Sequence, residues 1–178
     1  EQPLICAGRG VMIHDAEAEL LALAKLIAAP VLCTEYAQGA INQDHPLFAG
    51  SISEWTPNPF AEELLADSDF LLAVGLRSDT LLTDILVIHG PQNTVLVALD
   101  EANTLRPEAG FAATGACNNR LFLARLLAYA DEFRRSPSPS RQDRVARHQK
   151  AWKTGLALRL AELEHAQPLH FGRVALEL

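Results

Sequence analysis

The sequence predicts an open, doubly wound α/β fold: a parallel sheet of five or six strands followed by a C-terminal helical connector. Three observations carry this. Apolar runs of strand length recur at residues 3–7, 31–34, 70–74 and 94–99. Each closes on a glycine or polar residue, namely Gly8, Thr34, Gly75 and Asp100. Helical patterns at residues 16–29 and 119–130 stand between or after them. Strands joined through helical crossovers pair in parallel, and strands buried on both faces read as continuous apolar runs rather than alternating ones.

Residues 3–7 form the first strand, closed by the turn Gly8-Arg9-Gly10. In residues 16–29, Leu20, Leu23, Ala24 and Ile27 fall on one helical face. Asp15 is the expected N-cap, Glu17 and Glu19 suit the positive helix start, and Lys25 suits its end. Pro30 ends the helix and residues 31–34 make the second strand, completing a β-α-β unit. Residues 35–59 carry Gly39, Pro46, Gly50, Pro57 and Pro59, which predicts irregular loop with one short helical turn. A short helix over 60–66 leads to the strand at 70–74, and a weaker strand is expected at 111–114. The Ser-Pro-rich stretch after Phe133 reads as linker, and 142–164 as a charged helix with few core positions. The expected division is a domain over 1–133, linker and connector helix over 134–167, and the start of a following, truncated domain at 168–178.

Composition narrows function by exclusion. Of 178 residues, 49% are apolar, and the net charge is −7, which opposes nucleic-acid binding. No apolar stretch approaches the ~20 residues of a membrane span. Cys6, Cys33 and Cys117 lie far apart in apolar runs, so buried free thiols and a cytoplasmic location are expected. None of the six histidines shows metal-ligand spacing, and there is neither a Gly-x-Ser-x-Gly elbow nor a Walker lysine. The chain opens on Glu1-Gln2-Pro3 without Met and stops at Leu178 inside a helical pattern, so it is expected to be a piece of a longer polypeptide.

Four segments taken in order resemble a known family. They are Pro3 to Val11 (PLICAGRGV), Ala29-Pro30-Val31, Ala37-Gln38-Gly39-Ala40 with Asp44-His45-Pro46-Leu47-Phe48-Ala49-Gly50, and Asp69 to Arg77 (DFLLAVGLR). Together, over roughly residues 3–130, they resemble the central, Rossmann-like domain of thiamine-diphosphate-dependent enzymes such as acetolactate synthase, benzoylformate decarboxylase and oxalyl-CoA decarboxylase. The resemblance implies a parent enzyme acting on 2-oxo acids by decarboxylation or carboligation, a lyase or transferase. Its thiamine diphosphate and Mg²⁺ would be held by N- and C-terminal domains of the same chain, and the parent would be a homo-oligomer. The family's metal motif begins Gly-Asp, and no Gly-Asp dipeptide occurs here, so this segment is not expected to catalyse alone.

The resemblance also implies a nucleotide crevice in some members. Ligands of doubly wound sheets lie beyond the strands' carboxyl ends. Gly8, Arg9 and Gly10 follow one strand, Gly75, Arg77 and Asp79 another, and Asp100 a third. Arg9 and the neighbouring amides suit phosphate, and Asp100 suits ribose hydroxyls. Plain turn geometry accounts for the same glycines and aspartates, so that alternative stays open. Acetolactate synthases carry Gly-Met-His-Gly where this chain has Gly50-Ser51-Ile52-Ser53, and Gly-Asp where it has Gly115-Ala116. These departures argue against FAD; ADP, a CoA portion or no ligand fits better. Two readings from other classes also stand: a free-standing NAD-type nucleotide-binding domain, and a purely architectural module that packs in an oligomer.

Overall fold

The computed structural model describes residues 2–53, 58–77, 92–98, 111–129, 132, 134, 136 and 138–162. Among them the elements are β1 (Pro3–Ala7), α1 (Arg9–Ile13), α2 (Glu17–Leu26), β2 (Val31–Thr34), a 3₁₀ turn (Glu35–Ala37), β3 (Phe48–Ile52), α3 (Pro59–Ala66), β4 (Phe70–Leu76), β5 (Thr94–Ala98), β6 (Ala113–Ala116), α4 (Asn119–Ala128) and α5 (Pro139–Glu162). The six strands are all parallel and lie in the order β3-β2-β1-β4-β5-β6.

The continuous apolar runs are resolved by the pleat into two cores. Ile5, Ala7, Val31, Cys33, Leu72 and Val74 face one side, where Leu20, Leu23 and Ala24 of α2 and Leu123 of α4 cover them. Leu4, Cys6, Leu32, Leu71, Ala73 and Leu96 face the other, against Ala61, Leu64 and Leu65 of α3. Successive side chains of a strand point to opposite faces, so only a strand covered twice needs apolar residues throughout. Burial of this kind is worth roughly 25 cal/mol per Å² of apolar surface, which makes these two layers the main source of stability.

Several local expectations are corrected. Asp15 does not cap α2; the N-cap is Ala16, without a side-chain bond. Asp15 instead has φ 48°, and the Asp15 and Ala16 amides donate to the Met12 and Val11 carbonyls, closing the short helix α1. That pair of bonds around a left-handed residue is a Schellman stop, and aspartate tolerates the required φ better than most residues. The chain after β1 therefore goes directly into a helix rather than through an open turn. The 35–59 segment holds strand β3, which was expected as loop. The central Ala49-Gly50-Ser51 of FAGSI has little intrinsic strand preference and is held extended by pairing to β2, with an irregular register between Val31 and Leu32. The weak strand expected at 111–114 is β6 at Ala113–Ala116.

The helix starts that follow have recognisable chemistry. Asn58 accepts from the Ala61 amide ahead of Pro59 at the first turn of α3, and Asn118 accepts from the Leu121 amide at α4. The connector helix α5 begins at Pro139, earlier than expected, and its first half joins the core. Val145 is buried in the α3-side core, and Arg141 is buried with its guanidinium donating to Ser68 Oγ at 2.8 Å. Arg144 binds both Glu63 and Asp67 at 2.6 Å, and Gln149 donates to the Phe48 carbonyl at 2.6 Å. From Lys150 onward its described side chains are exposed. Among the described residues no helix is long and apolar enough to cross a membrane.

Candidate functional site

The strand order reverses between β1 and β4, and in such sheets the crevice beyond the carboxyl ends at the reversal is where ligands bind. Here the two strands are drawn together by glycines. The Gly8 amide donates to the Val74 carbonyl at 2.8 Å. A Cβ on Gly8 would overlap the Gly75 carbonyl oxygen, and one on Gly75 would lie 2.6 Å from the Val11 nitrogen. Gly75, at φ +73°, is the residue at which the β4–β5 register slips between Val74 and Leu76. The slip turns Leu76 into the α3-side core, a displacement that a bulge produces and strict alternation does not.

Above this junction lies a cleft of about 440 Å³, within the range of small-molecule sites. Of the residues expected at a crevice, Gly8, Arg9, Gly75 and Arg77 line it. Gly10 does not: it is buried beneath, where a Cβ would come 2.7 Å from the Gly75 Cα, so it packs α1 onto β4. The Gly8 amide is already committed to Val74 and is not a donor to ligand. Asp79 and Asp100 lie outside the described residues.

The same cleft contains residues that the expectation did not include. Thr34, Glu35 and Tyr36 enter from the end of β2, and Ile52 and Ser53 from the end of β3. Ser53 Oγ donates to Glu35 Oε2 at 2.7 Å. A signal for Glu35 was present, since an acidic residue directly after the second strand of such a sheet is the usual ribose acceptor. Ser53 had no signal, because β3 itself was not legible. Two thiols near the ends of β1 and β2 are inert: Cys6 and Cys33 are buried in the opposite cores of the sheet, and burial raises both, Cys33 to about 12. Cys117, expected to be buried, is exposed because β6 lies at the sheet edge.

A second groove, of about 300 Å³, separates β3 from α5 and is walled by Phe48, His148 and Trp152. His148 stacks on Phe60 with centroids 3.9 Å apart. This groove lies to the side of β3, away from the switch point. Among the described residues no group of three His, Cys, Asp or Glu side chains could hold a metal ion.

Comparison with known proteins agrees with this architecture. A probable acetolactate synthase large subunit of Methanococcus aeolicus is 38% identical over 103 residues, covering 57% of this chain and 17% of that protein. A sulfoacetaldehyde acetyltransferase of Rhodobacter capsulatus is 30% identical over 173 residues, 93% of this chain and 28% of that protein. A glyoxylate carboligase of Escherichia coli O157:H7 is 38% identical over 77 residues, 43% of this chain and 13% of that protein. The chain thus spans less than a third of the length of each. Residues 1–113, from β1 through the start of β6, match the family described as thiamine pyrophosphate enzyme, central domain. With the six-stranded parallel sheet and its glycine-built switch point, this match means that the chain belongs to the central-domain family of thiamine pyrophosphate enzymes.

Proposed function

We propose that this chain is the central domain of a thiamine-diphosphate-dependent enzyme acting on 2-oxo acids by decarboxylation or carboligation, and that its cleft binds a nucleotide. The parent's other domains would hold thiamine diphosphate and Mg²⁺, and the parent would assemble as a homo-oligomer. The division into a domain over 1–133, a linker and connector helix over 134–167 and the start of a further domain at 168–178 belongs to the same reading. Thiamine diphosphate would supply carbanion stabilisation at the oxo carbon. The described residues do not fit that cofactor's metal, because no cluster among them could ligate it, and the sequence lacks Gly-Asp. No catalytic step is therefore assigned to them. Consumption of a 2-oxo acid by the chain alone, given thiamine diphosphate and Mg²⁺, would overturn this division of labour.

The observation that carries nucleotide binding is the cleft at the β1/β4 reversal, lined by Gly8, Arg9, Gly75 and Arg77. Arg9 and Arg77 would pair with phosphate, Gly8 and Gly75 would let ligand approach the backbone, and Gly10 would support them from below. Asp79 and Asp100, which follow β4 and β5 in the sequence and lie outside the described residues, would add polar contacts in the same reading. The Gly50-Ser51-Ile52-Ser53 segment favours ADP or a CoA portion over FAD. Thermal unfolding with ADP, CoA, FAD and NAD tests this. A ligand at one hundred times its Kd stabilises by about 2.7 kcal/mol. A shift with none of the four would favour an empty, architectural domain.

A further inference from the structure

At the edge of the sheet opposite the cleft, a buried cation lacks a counter-charge. Arg141, near the start of α5, is 6% exposed. Among the described residues its guanidinium donates only to neutral acceptors, Ser68 Oγ at 2.8 Å and Gln2 Oε1 at 3.4 Å. Its Nε is buried with no hydrogen-bond partner. The acids whose charge reaches it are engaged elsewhere: Asp67 accepts from Arg144, and Asp69 from the Gln2 amide. A buried charge left unpaired is strongly destabilising, so a partner is expected.

Arg141 lines a cavity of about 20 Å³ together with Gln2, Pro30, Ser136, Ser138 and Gln142. Gln2 and Pro30 immediately precede β1 and β2, which places the cavity at the strands' amino ends. No carboxylate is among its described lining residues. That volume takes one particle the size of a water and is too small for a tetrahedral oxyanion. The surroundings favour a negative occupant. The Gln142 amide donates to the Ser138 carbonyl at 3.0 Å, so this is the start of α5, and the first turn of that helix has no acidic residue. A helix start carries partial positive charge and attracts anions. Burial, and then the Arg144 charge, hold the Arg141 guanidinium below the usual arginine range. Water would satisfy Nε and leave that charge unbalanced.

We propose that this cavity is a halide site, occupied by chloride, with Arg141 Nε as its charged donor and the Ser136 and Ser138 hydroxyls and the Gln142 carboxamide as further donors. The ion neutralises Arg141 and so fastens the connector helix to the start of β1, through Gln2, and to the turn after α3, through Ser68. The site is independent of the nucleotide-binding reading, because it shares no residue with the cleft.

The test compares thermal unfolding in sodium chloride, bromide, gluconate and sulfate at equal ionic strength, for the wild type and Arg141→Met, and locates bromide in soaked wild-type crystals by anomalous diffraction. Chloride and bromide should raise the wild-type Tm above its value in gluconate by about 2–4 °C, the shift that goes with occupancy at several times Kd, and the rise should saturate. Sulfate, excluded by size, should give only the unsaturating stabilisation that such salts give to any folded protein, equal in both proteins. Arg141→Met should lose the halide increment. Should that variant fail to fold, the wild type decides alone: a bromide peak beside Arg141 Nε with the saturating rise supports the site. Water in the cavity and no bromide, or no advantage of halide over gluconate, overturns it. A bromide peak without any halide effect on unfolding marks an adventitious ion only, and overturns it as well.

Discussion

The Gly8 amide donates to the Val74 carbonyl at 2.8 Å, and this bond joins the end of β1 to the bulged end of β4 with no room for a side chain between them. Each glycine is required by its neighbour's backbone, which cannot retreat as a flexible side chain could. Gly8→Ala and Gly75→Ala should each destabilise by about 1–3 kcal/mol or more, read as a lower urea midpoint. Gly115→Ala is the control: nothing lies within 4 Å of its added Cβ, so its midpoint should hold or rise slightly.

Ala28 sits at φ 53° at the stop of α2, where the Ala29 amide donates to Ala24 and the Ala28 amide to Lys25. An L-residue with a Cβ pays roughly 1–2 kcal/mol for the left-handed region, and glycine does not. Ala28→Gly should therefore stabilise the protein by about 1 kcal/mol, despite the added freedom of the unfolded chain. A lower melting temperature for this variant would contradict the Schellman assignment.

Burial raises the Cys6 and Cys33 thiols, the latter to about 12, while Cys117 is exposed. Desolvation raises the Cys117 thiol as well, but its exposure admits reagent, so at pH 8 one thiol per native chain should react with a disulfide reagent and three after denaturation. These acids have folded pKa values above their unfolded ones, so the unfolded state ionises first. Stability is thus whole below about pH 9 and falls above it, by about 1.4 kcal/mol per pH unit for each buried thiol. Cys33→Ala should flatten that decline when denaturation is followed from pH 8 to 11.

His45 and His148 are both shifted down by desolvation, and His45 Nδ1 accepts from the Leu47 amide at 3.1 Å. Their neutral forms are the folded ones. The unfolded chain therefore takes up protons first as pH falls through about 6.5, and stability declines on the acid side of that value. His148→Phe keeps a ring against Phe60 and removes one titrating group. Its stability relative to wild type should improve as pH drops from 7 to 5, and parallel curves would exclude His148 as a contributor.

Strands β1, β2, β4 and β5 were legible because each is buried on both faces and is apolar throughout. β3 was not, since Phe48, Ala49, Gly50 and Ser51 owe their strand geometry to a partner 17 residues back in the chain at Val31. Of the site, Gly8, Arg9, Gly75 and Arg77 could be named from position after a strand. Ser53 could not be named without β3, and Asp79 and Asp100 lie outside the described residues.

By itself the sequence determined the class of fold, the family and the two glycine junctions, because these follow from local runs and from spacing along the chain. Only the tertiary structure decided that Gly8 and Gly75 meet, that Gly10 packs inward while Arg9 faces the cleft, and that Glu35 is held by Ser53. Those relationships depend on which strands become neighbours. Sheet order is chosen by the burial of two apolar faces at once, a balance over the whole chain that no single segment encodes.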